Sequence, residues 1–136
     1  MIDGMNTISD NLGELATTMG ATMLTVSADE VVMSIPVQGN RQPFHLLHGG
    51  ANAVLVEHSA SILAQCLAPQ GRAAVGTELN ISQLRSVTQG TVTARAIPIN
   101  VGKSSMCALV DIHDDAGNLT ATGRMTCVFI HAGQAQ

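Results

Sequence analysis

One acid stands inside an apolar run. Between Ala51 and Ala68 the residues are mostly Ala, Val, Leu, Ile, Cys and Ser, and Glu57 is the only carboxylate among them. The run has no clear polar face, which predicts a helix buried on nearly all sides. A buried charge is costly unless something compensates it. Glu57 is therefore paired, shifted in pKa, or used as a base or nucleophile. The run opens on His48-Gly49-Gly50. A helix start carries unsatisfied N–H groups and a partial positive charge, and two glycines let an anionic oxygen come close to them. The same glycines would also serve a tight turn, and Glu57 would also serve a structural ion pair.

At about 100° per residue, Gly50, Ala53, Val54, Ala60, Ser61, Ala64 and Ala68 share the Glu57 side of this helix. Leu55, Ile62, Leu63 and Cys66 fall opposite. The bulky face suits a sheet, and the small-residue face leaves room for a ligand or a second backbone. Ser61, one turn after Glu57, can hold the carboxylate or a water; alternatively its hydroxyl bonds its own backbone. His58 points about 100° away from Glu57 and is left out of the candidate set. His113 and His131 lie on expected strands and carry no signal.

The elements that must position these residues follow from the rest of the chain. Ser9 to Met19 reads as a short helix stopped by Gly20. Residues 22–26 and 31–37 read as a hairpin turning near Ala28-Asp29-Glu30. A polar loop from Gly39 to Leu47 leads into the long helix, which Pro69-Gln70-Gly71 ends. Strands are expected near 73–86, 90–100, 104–114 and 119–131, joined by turns at Gln89-Gly90, Asn100-Val101-Gly102 and Asp114 to Asn118. Consecutive strands without crossover helices favour an antiparallel sheet. The expected class is α+β, one domain over 1–136, with a curved antiparallel sheet wrapped around a long central helix.

Composition narrows the partners. Charged residues are 12% of the chain, about half the usual ~25%, which points to burial between subunits. The net charge is −4 with six Lys and Arg spread singly, so no nucleic-acid footprint appears. There is no Trp or Tyr and there are two Phe, which disfavours a stacking platform for single strands. Cys66, Cys107 and Cys127 lack CxxC spacing and read as reduced core thiols of a cytoplasmic protein. No metal-ligand motif, secretory leader or membrane-spanning stretch is expected.

Gln42-Pro43-Phe44-His45-Leu46-Leu47-His48-Gly49-Gly50-Ala51, followed by Glu57 and Ser61, resembles the hotdog-fold acyl-CoA thioesterases. It looks most like the branch containing 4-hydroxybenzoyl-CoA and phenylacetate-degradation thioesterases. The likeness extends over nearly the whole chain and rests on the spacing of Gln42, His48, Glu57 and Ser61. His45 stands where relatives often carry Gly, and Lys103 follows Gly102 where Ser is common.

The resemblance implies a thioester hydrolase with no cofactor and no metal. It implies an oxyanion held by the Gly49 N–H and a Glu57 that attacks the thioester or activates water. In the family the site forms across a dimer, so Gln42, His48 and Gly49 would come from one chain and Glu57 with Ser61 from the next. His48 would orient the loop or polarise the carbonyl, or be a satisfied core histidine. Gly50, Gln83, Arg85, Gly102, Lys103 and Ser104 are implied to contact substrate or CoA, although Arg85 and Lys103 would equally be solvated surface cations. The implied partners are an acyl-CoA, with aryl-CoA or dihydroxynaphthoyl-CoA as family-based examples, and further copies of the chain as a dimer of dimers. Two other functions on the same fold are a hotdog dehydratase or hydratase and a non-catalytic acyl-CoA-binding protein.

Overall fold

The computed structural model describes residues 11–134. Its first element is α1 (Gly13–Thr18). The expected helix began at Ser9, and its start lies outside the described residues. Gly20, at φ 74°, ends α1 as foreseen. The Ala21 N–H bonds the Ala16 carbonyl (2.9 Å) and the Gly20 N–H bonds that of Thr17 (3.0 Å), the double bond of a Schellman stop.

The strands β1 (Thr22–Val26), β2 (Val31–Pro36), β3 (Arg72–Gln83), β4 (Thr91–Val101), β5 (Ser105–His113) and β6 (Leu119–His131) form one sheet in the order β1-β2-β4-β5-β6-β3. Every pairing is antiparallel. Burial alternates residue by residue along β2 and β5, as a sheet with one covered face requires. The cover is α2 (Gly49–Leu67), which packs against β2, β3, β4, β5 and β6. Met33, Ile35, Leu55, Leu63, Met106, Ile112 and Met125 fill the layer between them. The helix and sheet come close at Gly123, where a side chain would meet the Asn80 carbonyl at 2.8 Å and both Val56 methyls at 3.0 Å.

α2 starts and stops for local reasons. His48 is its N-cap, and the imidazole Nδ1 accepts from the Gly50 N–H (2.8 Å). At the other end Ala68 is extended (φ −62°, ψ 136°), as a residue before proline must be.

β3 is a sheet edge and carries a bulge. Gly76 lies opposite Cys127 and Glu78 opposite Thr126, leaving Thr77 as the extra residue. The bulge changes which residues face inward. Ala74 packs on the core before it, and Leu79 and Ile81 after it. β3 also stops earlier than the expected 86. Leu84 and Arg85 have left the ladder, and both their N–H groups bond the Thr120 carbonyl (2.9 and 3.0 Å).

One expectation fails in the protomer. α2 is not buried all round: Gly50, Glu57 and Gln65 are exposed and Val54, His58 and Ser61 half-buried. The sheet covers one side of the helix and ends at β3, so the side over that edge has no cover. Ala60 and Ala64 belong to the buried side.

Candidate functional site

The candidate residues fall into two clefts. The first, about 400 Å³, lies between α1 and α2 and is lined by Leu15, Val54, Glu57, His58, Ser61, Ile62 and Gln65. The second, about 290 Å³, lies at the start of α2. Gln42, Leu46, Gly49, Asn52, Gln83 and Arg85 are among its walls. Gly49 and Glu57 are eight residues apart, or about 12 Å along the helix axis. One protomer therefore holds the acid and the helix start in separate places.

The second cleft is built around Gly49. The Gly50 N–H is already taken by His48, and a Cβ on Gly50 would sit 2.9 Å from Nδ1. This leaves the His48 ring with its proton on Nε2. No described residue accepts the Gly49 N–H, so that donor is free to meet an anionic oxygen. Its carbonyl is held by Gln83 Nε2 (2.9 Å), and Gln83 Oε1 accepts from Asn52 Nδ2 (2.9 Å). The pair braces the Gly49 peptide. Asn52 is buried, and its Oδ1 has no partner among the described residues.

Gln42 sits in a tight loop where its N–H bonds the Leu46 carbonyl (2.8 Å) and its Oε1 accepts from the Phe44 N–H. His45 within that loop has φ 67°, a left-handed conformation that costs a non-glycine residue about 1–2 kcal/mol. That strain explains why glycine suits the position. Phe44 is 83% exposed at the loop tip.

In the first cleft Glu57 has no ion-pair partner. The one ion pair among the described residues joins Arg95 and Glu30. Ser61 shares the cleft wall without a hydrogen bond to the acid. His58, set aside on angular grounds, lines the same cleft. Burial holds its imidazole below the usual histidine range, opposed by the Glu57 charge. The missed signal was its adjacency to Glu57 on a helix with one uncovered side. Beneath Glu57 lies Cys127, whose thiol is pushed up to about 11 by burial, then by the Glu57 carboxylate and Cys107.

Gly102, Lys103 and Ser104 line neither cleft. They form the β4–β5 turn, where the Gly102 N–H bonds the Ser105 carbonyl (2.8 Å) and the Ser104 carbonyl accepts from the Phe129 N–H (2.8 Å). Pairing runs from Val101 through Met106 and Cys127 to Gly76. The turn thus lies toward the Gly76 end of the sheet, away from Gln83. Among the described residues no three His, Cys, Asp or Glu gather to hold a metal, and no helix is long and apolar enough to cross a membrane.

Residues 44–121 match the family model described as the thioesterase superfamily. The chain belongs to that superfamily. The thioesterase is 32% identical over 126 residues to the proofreading thioesterase EntH of Cronobacter sakazakii, covering 93% of this chain and 88% of the relative. A thioesterase structure from Haemophilus influenzae superposes with a TM-score of 0.85 at 30% identity, covering 96% of this chain and 91% of that one. Two mutant structures of a Staphylococcus aureus thioesterase superpose with TM-scores of 0.82 and 0.81 at 31% identity, covering 86% and 85% of this chain and 98% and 97% of theirs. These relatives confirm the hotdog fold of the thioesterase and its class as a thioester hydrolase.

Proposed function

We propose that the protein hydrolyses an acyl-CoA to the free acid and CoA at a site that two copies complete. The observation that carries this reading is the separation of Glu57 from the Gly49 N–H into two clefts of one chain. Thioester hydrolysis needs an attacking or proton-accepting group and an oxyanion donor about 3 Å from the same carbonyl. A second chain running antiparallel supplies the missing half. Glu57 stands over Gly76, and Gly49 stands against Gln83. Pairing two β3 edges about a two-fold axis between Leu79 and Asn80 sets Gly76 of one copy opposite Gln83 of the other. Each Glu57 then faces the Gly49 of the second copy. The pairing also satisfies the free edge of β3.

In this site the thioester carbonyl oxygen points at the Gly49 N–H, steadied by the Gln42 side chain. Glu57 of the second copy either adds to the carbonyl carbon, expelling the CoA thiolate and leaving an anhydride that water cleaves, or takes a proton from the attacking water. Ser61 orients the carboxylate or that water. His48 fixes the start of α2 by its cap. Arg85, at the rim of the second cleft, meets a CoA phosphate, and the Gly102-Lys103-Ser104 turn approaches the same nucleotide from the second copy.

The Gln and Glu replaced in the Staphylococcus aureus mutant structures stand fifteen positions apart, as Gln42 and Glu57 do. That shared separation supports the pairing of roles. The finer placement is in the 4-hydroxybenzoyl-CoA and phenylacetate-degradation branch, with an aryl-CoA substrate. The protein is a single cytoplasmic domain assembled as a dimer of dimers.

Complementation tests the shared site. E57Q and Q42A are each impaired alone on benzoyl-CoA and hexanoyl-CoA. Statistical mixing after co-refolding makes half of the dimers mixed, each with one intact site of two, so about a quarter of wild-type activity returns. No recovery in mixed dimers refutes a site built from two chains.

A further inference from the structure

Gly76 has no conformational need to be glycine. Its φ is not left-handed, so what it supplies is space. A Cβ at position 76 would overlap the Met125 Cε methyl, and it would lie 3.8 Å from Glu57 Oε1. Gly76 faces inward on β3 opposite Cys127, and Met125 is its neighbour on β6, opposite Leu79. Met125 is 2% exposed. Its methyl occupies the gap left by the missing side chain, and the Glu57 carboxylate stands over the same position.

We infer that Gly76 and Met125 are positioning residues: their matched gap and methyl form the floor that sets the height and direction of the Glu57 carboxylate. The floor is a backbone methylene and a thioether methyl, and no described residue donates a hydrogen bond to the acid, which leaves its lone pairs for the cleft side. Cys127, paired with Gly76 across the ladder, lies in this same patch, and the Glu57 charge helps raise its thiol. The β-bulge at Thr77 turns the strand immediately after Gly76, a device that re-aims side chains beside reactive centres. The inference rests on the reading of Glu57 given above.

The experiment is a double-mutant cycle read by steady-state kinetics on benzoyl-CoA and hexanoyl-CoA, with thermal melts to establish folding. In G76A the methyl must move by more than 1 Å to reach ordinary contact, pressing on the carboxylate, and a misplacement of that size costs about 10–100-fold in kcat. KM should change by less than about threefold, because the substrate's remote contacts are untouched. M125L withdraws the terminal methyl, so G76A in the M125L background should stay within about threefold of M125L alone. In the E57Q background G76A should lower the residual rate no further, since it acts through the acid.

If G76A fails to fold, M125L against G76A/M125L decides: near-equal kcat supports the floor, and a tenfold deficit overturns it. Wild-type kcat in folded G76A, with E57Q inactive, overturns this inference alone. A further loss in E57Q/G76A shows a general structural role and overturns it too. Wild-type kcat in E57Q overturns the reading of Glu57 itself, and this inference with it.

Discussion

Alkaline pH should destabilise this protein in large part through one thiol. Cys127 is fully buried, and its folded-state pKa is pushed up to about 11 from an ordinary 9.0. Below pH 9 both folded and unfolded chains keep the proton, and the stability linked to this thiol is fully present. Between pH 9 and 11 the unfolded chain ionises first, so stability falls as pH rises. Each pH unit is worth about 1.36 kcal/mol, and two units give a loss of about 2–3 kcal/mol. Few other groups confuse the window. The chain has no Tyr and a single lysine, Lys103. Cys66 is also raised by burial and adds loss in the same direction, so the readout is a difference. Urea midpoints at pH 8, 9, 10 and 11, at fixed protein concentration with reductant present, should drop more steeply for the wild type than for C127A. The gap should approach about 2 kcal/mol by pH 11. E57Q should recover part of it, because the carboxylate is the second cause of the shift and burial the first. Equal losses in wild type and C127A would refute the buried thiol beneath Glu57.

Two further outcomes follow from the packing and the rim of the second cleft. Gly123→Ala should destabilise by about 1–3 kcal/mol through overpacking against the Asn80 carbonyl and Val56, seen as a lower melting temperature with the same oligomeric state. Arg85→Ala should raise KM for benzoyl-CoA about fivefold, a loss near 1 kcal/mol, with little change in kcat and a smaller effect at high salt. Equal impairment on benzoyl-N-acetylcysteamine, which lacks the nucleotide, would show that Arg85 supports the fold instead.

The element order was legible because most boundaries had a local chemical cause. Gly20 and Pro69 stopped the helices where they stood, and the polar turns at Gly90 and Asp114 to Asn118 separated strands that the structure places within a few residues of expectation. The end of β3 was not legible. Arg85 and Ser86 continue the strand in composition, but the Leu84 and Arg85 N–H groups both turn to the distant Thr120 carbonyl, a contact no local pattern reports. The exposure of Glu57 was hidden for a similar reason. An apolar helix with one acid reads as buried, but how much of it a sheet covers depends on which strand is the edge. His58 and the Gly76–Met125 fit are contacts across elements, and no spacing within one segment reports them. The start of α2, by contrast, is local, and the Gly-Gly pair marked it in the sequence, although the capping role of His48 did not show there.

The bulge in β3 has a consequence for how this segment can vary. Thr77 is the residue that switches the inward set from Ala74 and Gly76 to Leu79 and Ile81. Its side chain makes one bond, from its hydroxyl to the Thr126 carbonyl (3.2 Å), which Ser reproduces and many residues can lose at small cost. Its presence is another matter. Deleting position 77 would leave Gly76 and Glu78 consecutive opposite Cys127 and Thr126, a regular ladder in which Leu79, Ile81 and Gln83 keep their faces and only the local bend is lost. Substitution at this position should cost little, and deletion should spare the pairing while straightening the strand beside Gly76. Position 77 is thus an insertion carried for the bend it makes, and libraries that vary β3 can sample its absence as well as its identity, with the aim of the strand at Gly76 as the property that changes.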